Sequence, residues 1–85
     1  MTTKAECAGK IASYLASEIS RDDLTKWADA ALSEENFPEA DGRVLLGVLS
    51  DLSASRAPGF LTRIEDYHAL LRELGFRMEP RLVAA

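Results

Sequence analysis

Apolar residues recur along this chain at intervals of three and four, which is the spacing of a helix with one buried face. The pattern predicts four helices, from about 4 to 18, from 20 to 32, from 41 to 54 and from 62 to 74. No run of alternating residues is long enough to predict a strand. The apolar positions are, helix by helix, Ala8, Ile11, Leu15 and Ile19; Leu24, Trp27, Ala28 and Ala31; Val44, Leu45, Val48, Leu49 and Leu52; and Ile64, Tyr67, Leu71 and Leu74.

Residues at the helix ends carry capping signals. Ser20 is suited to be an N-cap, and Asp23 three places later approximates the acid of a capping box. Thr62 and Glu65 form a second predicted capping box at the start of the fourth helix. Gly75 is a stop signal, because glycine tolerates the left-handed conformation that often follows a helix. These signals agree with the boundaries that the apolar spacing predicts.

The expected fold is all-α, a small antiparallel four-helix bundle, because short connections favour antiparallel neighbours. A three-helix bundle with a loose first helix is the alternative. Eighty-five residues make one domain, so we expect a single helical domain over 1–79 and a frayed tail over 80–85. Phe76 and Met78 are expected to pack back on the bundle. The third helix is expected to be the most enclosed, because Leu46 lies on a different side from its main apolar face.

The net charge of −4 lies entirely in the first half of the chain. Residues 1–40 carry eight acids and four bases, whereas residues 41–85 carry six of each. An acidic chain repels phosphate backbones, so we expect no nucleic-acid partner and favour a basic protein surface instead. Its apolar runs are far shorter than the ~20 residues of a membrane span, and no signal peptide is visible. We therefore expect a cytoplasmic protein without a membrane partner.

The residues that most often carry chemistry do not form a recognisable set. Cys7 and His68 are the only cysteine and histidine, whereas a zinc site needs three or four converging ligands. His68 has no second group to complete a nucleophilic site, so an enzyme built on it would need residues from another chain. Cys7 is expected to be a small buried hydrophobe. The sequence therefore predicts no catalytic residue, no metal site, no cofactor and no enzyme.

The second helix carries the best candidates for binding. Trp27 is either a core residue or an interface anchor, and its spacing with Leu24 and Ala31 favours the core. The outward side of this helix and the segment after it are acidic. The predicted partner-binding residues, which we call the acidic face, are Asp22, Asp23, Asp29, Glu34, Glu35 and Glu39.

Three segments together resemble small bacterial immunity proteins of the colicin-like and contact-dependent-inhibition groups. They are YLASEISRDDLTKWADAAL, VLLGVLSDLSA and FLTRIEDYHALLRELGF, and the resemblance covers about residues 11–76. The matching motif residues are Ser20, Asp22, Asp23, Trp27 and Ala28, whereas the loop SEENFPEADGR departs from the group.

This resemblance implies a non-enzymatic protein that blocks a toxin domain, often a basic nuclease, with an acidic surface. The alternative hypothesis is a helical accessory or regulatory subunit. It would dock through the apolar residues Leu46, Leu61 and Leu70, which lie off the main apolar stripes.

Overall fold

The chain is mainly helical, with one small antiparallel sheet. The computed structural model describes residues 1–56 and 63–85, and these contain four helices and two strands. The predicted mainly helical fold is therefore confirmed, while the antiparallel order of the helices stays a prediction. The elements are α1 (Lys4–Leu15), α2 (Arg21–Glu34), α3 (Gly42–Ser53), α4 (Ile64–Glu73), β1 (Phe76–Met78) and β2 (Leu82–Ala84), with 3₁₀ turns at Glu39–Asp41 and Ala54–Arg56 on either side of α3.

Side-chain caps begin the first two helices. The Ser20 hydroxyl accepts a hydrogen bond from the Asp23 amide at 3.0 Å, and the Asp23 carboxylate accepts one from the Ser20 amide at 3.3 Å. This reciprocal pair confirms the predicted capping box of α2. At α1 the Thr3 hydroxyl accepts from the Glu6 amide at 3.1 Å. Both caps satisfy amide groups that have no partner within the helix.

The start of α4 differs from the prediction. The Arg63 amide donates to the carboxylate of Asp66 at 3.2 Å, so the capping acid of this helix is Asp66. The prediction that Glu65 has this role is wrong, because the helix begins at Ile64 and Asp66 is then its third residue. Thr62, the predicted partner of Glu65, lies outside the described residues.

Backbone in the left-handed region follows three of the helices. Within the described residues, φ is positive at Ser17 (62°), Glu35 (49°) and Gly75 (87°). Ser17 explains why α1 ends at Leu15, earlier than predicted, since a left-handed residue cannot continue a right-handed helix. Gly75 acts as the predicted stop signal, because glycine has no Cβ to make this conformation unfavourable.

All four helices contribute to one hydrophobic core. Its buried residues are Cys7, Ala8, Ile11, Leu24, Ala28, Ala31, Leu45, Val48, Leu49, Leu52, Tyr67, Leu70, Leu71 and Leu74. Most are positions that the apolar spacing predicts. Cys7 and Leu70 are buried outside those positions. Conversely, Val44 (38 % exposed) and Ile64 (64 % exposed), which the spacing placed on buried faces, are exposed. Leu46 is 44 % exposed, so α3 has an open face, and the prediction that it is the most enclosed helix is wrong.

The end of the chain forms a hairpin where we expected a frayed tail and no strand. β1 and β2 pair in the register Phe76↔Ala84, Arg77↔Val83 and Met78↔Leu82. Phe76, Met78 and Leu82 all pack against the core, as predicted for the first two. The Ala85 amide also donates to the Gly75 carbonyl at 2.8 Å. Packing on the core therefore stabilises a pair of strands that would be too short to persist alone.

Candidate functional site

The acidic face lies on α2 and on the segment that follows it. Between residues 22 and 41 the chain has seven carboxylates, and Lys26 is the only base. The side chains differ in exposure, because Asp29 is half-buried whereas the other five residues are exposed. The structure therefore sets Asp29 apart from the other five predicted residues.

Three of these carboxylates have roles within the protein. Asp22 pairs with Lys26 one helical turn away, with 3.0 Å between carboxylate oxygen and ammonium nitrogen. Asp23 belongs to the capping box of α2, and Asp29 accepts a hydrogen bond from the Ser53 hydroxyl at the end of α3. These contacts stabilise the fold, so the three side chains are less available to a partner.

The other three carboxylates lie at the far end of α2 and beyond it. Glu34, Glu35 and Glu39 are exposed. In the part of the chain that the structure describes, no side-chain hydrogen bond or ion pair engages any of them. This end of the acidic face therefore presents negative charge without an internal partner.

A row of polar side chains, which we call the polar seam, joins α2 to the end of α3. Arg21, Thr25 and Asp29 are spaced four residues apart and so share one side of α2. The Arg21 guanidinium donates to the Ser55 carbonyl. The hydroxyls of Thr25 and Ser55 lie 3.0 Å apart, and Ser53 donates to Asp29. The seam fixes the orientation of α2 and thereby of the acidic face.

Sequence reasoning missed the polar seam. It assigned Asp29 to the acidic face and gave no role to Thr25, which is 1 % exposed. The one local signal was a polar residue at every fourth position beside the apolar stripe of α2. The partners of these residues, Ser53 and Ser55, lie 24 and more residues away in the sequence, where spacing within a helix gives no information.

An open pocket, which we call the Trp27 pocket, lies where the residues before α1 meet the second half of α2. Its volume is about 210 Å³. The amide of Thr2 donates to the carbonyl of Asn36 at 2.8 Å, which ties the start of the chain to the end of α2. The lining residues are Met1, Thr2, Glu6, Trp27, Ala30, Ala31 and Glu34.

Trp27 is half-buried rather than a full member of the core, so the prediction that it is buried is only partly right. One part of the ring packs on the core, and the residue also lines the pocket. The ammonium of Lys10 lies 6.0 Å from the centroid of the ring, at the outer limit of a cation–π contact. The indole therefore has both a structural surface and an accessible one.

A larger open space of about 530 Å³ lies beside the turn between α1 and α2. Of its two carboxylates, Glu18 is exposed and Asp23 is held in the capping box. Its lining residues are Tyr14, Leu15, Ser17, Glu18, Ile19, Ser20, Asp23 and Ile64. Because Ile64 lies only two residues after the end of the undescribed segment 57–62, we place no site there.

Cys7 and His68 show no catalytic arrangement. Cys7 is fully buried in the core, as predicted, and its pKa is raised to about 12, mainly by burial and further by the charge of Glu6. Such a thiol is protonated at neutral pH and unreactive. His68 is half-buried on α4. Within residues 1–56 and 63–85, no three His, Cys, Asp or Glu side chains converge as a metal-ligand set.

No protein-family model, no curated protein and no solved structure matches this chain. Among the described residues, none of the helices combines the length and the apolar character needed to cross a bilayer.

Proposed function

We propose that this protein is a non-enzymatic protein-binding module that uses the acidic face against a basic surface of its partner. The observation that supports this most is the exposed end of the acidic face. There Glu34, Glu35 and Glu39 have no side-chain partner within the described residues. Opposite charge across an interface accelerates association and selects the partner.

The proposal takes its specific form from the resemblance to immunity proteins. In that form, the protein neutralises a basic toxin domain by covering its active site. The mainly helical fold is compatible with such a role, and the acidic face supplies charge of the required sign. Asp22, Asp23 and Asp29 then contribute mainly to the long-range field, since each already has a partner inside the protein.

The test compares capture of basic proteins by charge-matched variants. The immobilised protein is exposed to a lysate of its source organism and eluted with a salt gradient. One variant carries Glu35→Lys with Glu39→Lys. The control carries Glu18→Lys with Glu73→Lys, two exposed acids outside the acidic face. We expect the wild type and the control to release a basic protein at modest salt, and the acidic-face variant to lose it.

The hypothesis that the protein is an immunity protein requires a second measurement, the activity of the captured protein. The captured protein should have nuclease or another toxic activity that the wild-type chain silences in solution. Capture that is unchanged by Glu35→Lys with Glu39→Lys would contradict the use of the acidic face. A captured partner without a toxic activity would leave a protein-binding module that is not an immunity protein.

The second candidate function is an accessory subunit that docks through apolar surface. The observation that favours it is exposed apolar surface on α3, where Val44 (38 % exposed) and Leu46 (44 % exposed) flank the buried stripe on its two sides. Leu70 does not belong to this surface, because it is buried in the core, and Leu61 lies outside the described residues. Binding of this kind should persist at high salt and be lost in Leu46→Ser, whereas binding through the acidic face should fade with salt.

A further inference from the structure

We propose that the Trp27 pocket binds an arginine side chain presented by the protein partner. This inference rests on the proposed function, because it names the chemical group that the acidic region recognises. It also assigns Trp27, Glu6 and Thr2 to binding, whereas the acidic face includes none of them.

The volume of the pocket matches that of a single side chain rather than that of a larger ligand. The volume of the pocket is about 210 Å³. It lies below the ~300–1,000 Å³ of pockets that bind small molecules. A protruding side chain fits this space, whereas a cofactor or a drug-sized ligand does not.

The charge of the pocket selects a cation. Glu6 of α1 and Glu34 of α2 line it from two different helices, and both are exposed. No hydrogen bond or ion pair within the described ranges engages either carboxylate side chain. A guanidinium has five N–H donors in a planar fork, so it can bind two carboxylates at once.

Trp27 makes arginine a better fit than lysine. A planar guanidinium stacks on an indole, and its weak hydration lowers the desolvation penalty of leaving water. The ring already lies 6.0 Å from the Lys10 ammonium, so its surroundings accept positive charge. A second cation that enters from the pocket side would then share the indole with Lys10.

Thr2 adds a hydrogen-bond acceptor to the lining of the pocket. It is 6 % exposed, and it lines the pocket. Its amide is bonded to Asn36, but no group in the described part of the chain bonds its hydroxyl. A threonine hydroxyl has two acceptor lone pairs, so it can accept a hydrogen bond from a guanidinium N–H.

The sole tryptophan of the chain makes the test direct. The emission of Trp27 is followed while acetyl-Gly-Arg-Gly-amide is added, and the same titration is made with the neutral citrulline analogue and with the lysine analogue. We expect a saturable change with arginine, a weaker one with lysine and none with citrulline. Glu6→Gln and Glu34→Gln should each weaken binding by about two- to fivefold, the range of exposed ion pairs.

Two matched variants control for loss of charge alone. Glu18→Gln and Glu73→Gln remove exposed carboxylates outside the pocket and should leave the titration unchanged. Lys10→Met removes a positive charge near the indole and should tighten binding, because that charge repels an incoming guanidinium. Far-UV circular dichroism of each variant checks that the helices are retained.

The outcomes separate the pocket from the proposed function. No emission response to the arginine peptide, an equal response to citrulline, or a response that survives Glu6→Gln with Glu34→Gln would overturn the pocket. Capture through Glu35 and Glu39 would still stand in each case. Conversely, if the emission responds selectively to arginine but no basic partner is captured, the arginine-binding pocket is supported and the proposed function is contradicted.

Discussion

The polar seam contains a buried pair of hydroxyls, those of Thr25 and Ser55, whose hydrogen bond should stabilise the fold. The Thr25 hydroxyl donates its single hydrogen to the Arg21 carbonyl at 2.9 Å. The Ser55 hydroxyl must therefore be the donor across the 3.0 Å contact between the two oxygens. Thr25→Val keeps the shape of the side chain but removes the acceptor that Ser55 uses.

The burial of both residues sets the magnitude. Thr25 is 1 % and Ser55 is 2 % exposed, so water cannot easily replace the lost acceptor. A buried hydroxyl without a partner costs about 1–3 kcal/mol, and the added methyl group of valine offsets part of this. We expect Thr25→Val to lower the free energy of unfolding by about 1–2 kcal/mol. For a chain of this length, that lowers Tm by about 4–16 °C.

The partner variants test the direction of the hydrogen bond. Ser55→Ala should cost less than Thr25→Val, because Thr25 still donates to the Arg21 carbonyl when Ser55 is changed. The double variant should be no less stable than Thr25→Val alone, since it removes both hydroxyls together. Urea unfolding followed by circular dichroism measures all three. Ser50→Ala, an exposed position on α3, controls for the loss of a serine hydroxyl.

A neutral Thr25→Val would refute the reasoning, because it would mean that Ser55 finds another acceptor and that the seam is not a closed network. Two strictly additive single changes would equally exclude a bond between the hydroxyls.

Three further predictions concern the core, the pH dependence and the hairpin. Leu49→Ala should lower the free energy of unfolding by about 2–5 kcal/mol, because Leu49 is buried. Leu46→Ala should lower it by less than ~1 kcal/mol, because Leu46 is exposed. Similar losses for the two variants in urea unfolding would contradict the orientation of α3. Burial and Glu6 raise the pKa of Cys7 from 9.0 to about 12, and burial and Tyr14 raise the pKa of Tyr67 from 10.0 to about 12. Both groups therefore ionise first in the unfolded chain, so the free energy of unfolding should fall as pH rises from about 9 to 12 and should fall less steeply in Cys7→Ala; a flat profile in both proteins would exclude this linkage. Removal of residues 80–85 should lower stability by about 1–2 kcal/mol, because Leu82 then leaves its place against the core; a truncated chain with unchanged Tm would show that this tail contributes nothing.

Most of the helical structure follows from the sequence because its causes are local. Burial of one face every 3.6 residues places Leu24, Ala28 and Ala31 in the core, and Ser20 with Asp23 forms the expected cap. The errors have equally local causes. Leu46 lies to one side of the buried stripe of α3 and is exposed. An apolar residue outside the stripe was therefore wrongly interpreted as a sign that the helix is enclosed.

The hairpin was not predictable by the same reasoning. β1 and β2 have three residues each, which is too short for alternation to be distinguished from chance. Their stability comes from Phe76, Met78 and Leu82 against the core, a contact that depends on how the helices pack first. Local patterns therefore indicate that apolar residues return to the core, without indicating the backbone conformation in which they do so.

The same distinction separates the two kinds of carboxylate on α2. From the sequence, Asp29 and Glu34 are equivalent acids on one helix, but Asp29 accepts a hydrogen bond from Ser53 whereas Glu34 lines the Trp27 pocket. Reversal of charge at Asp29 would disturb both the polar seam and the acidic face, so a loss of binding there would not report on the interface alone. At Glu34 the fold and the interface are separable, because the side chain has no partner within the described residues. Binding experiments on this protein should therefore begin at the end of α2, where charge can be changed without changing the packing that holds the helix in place.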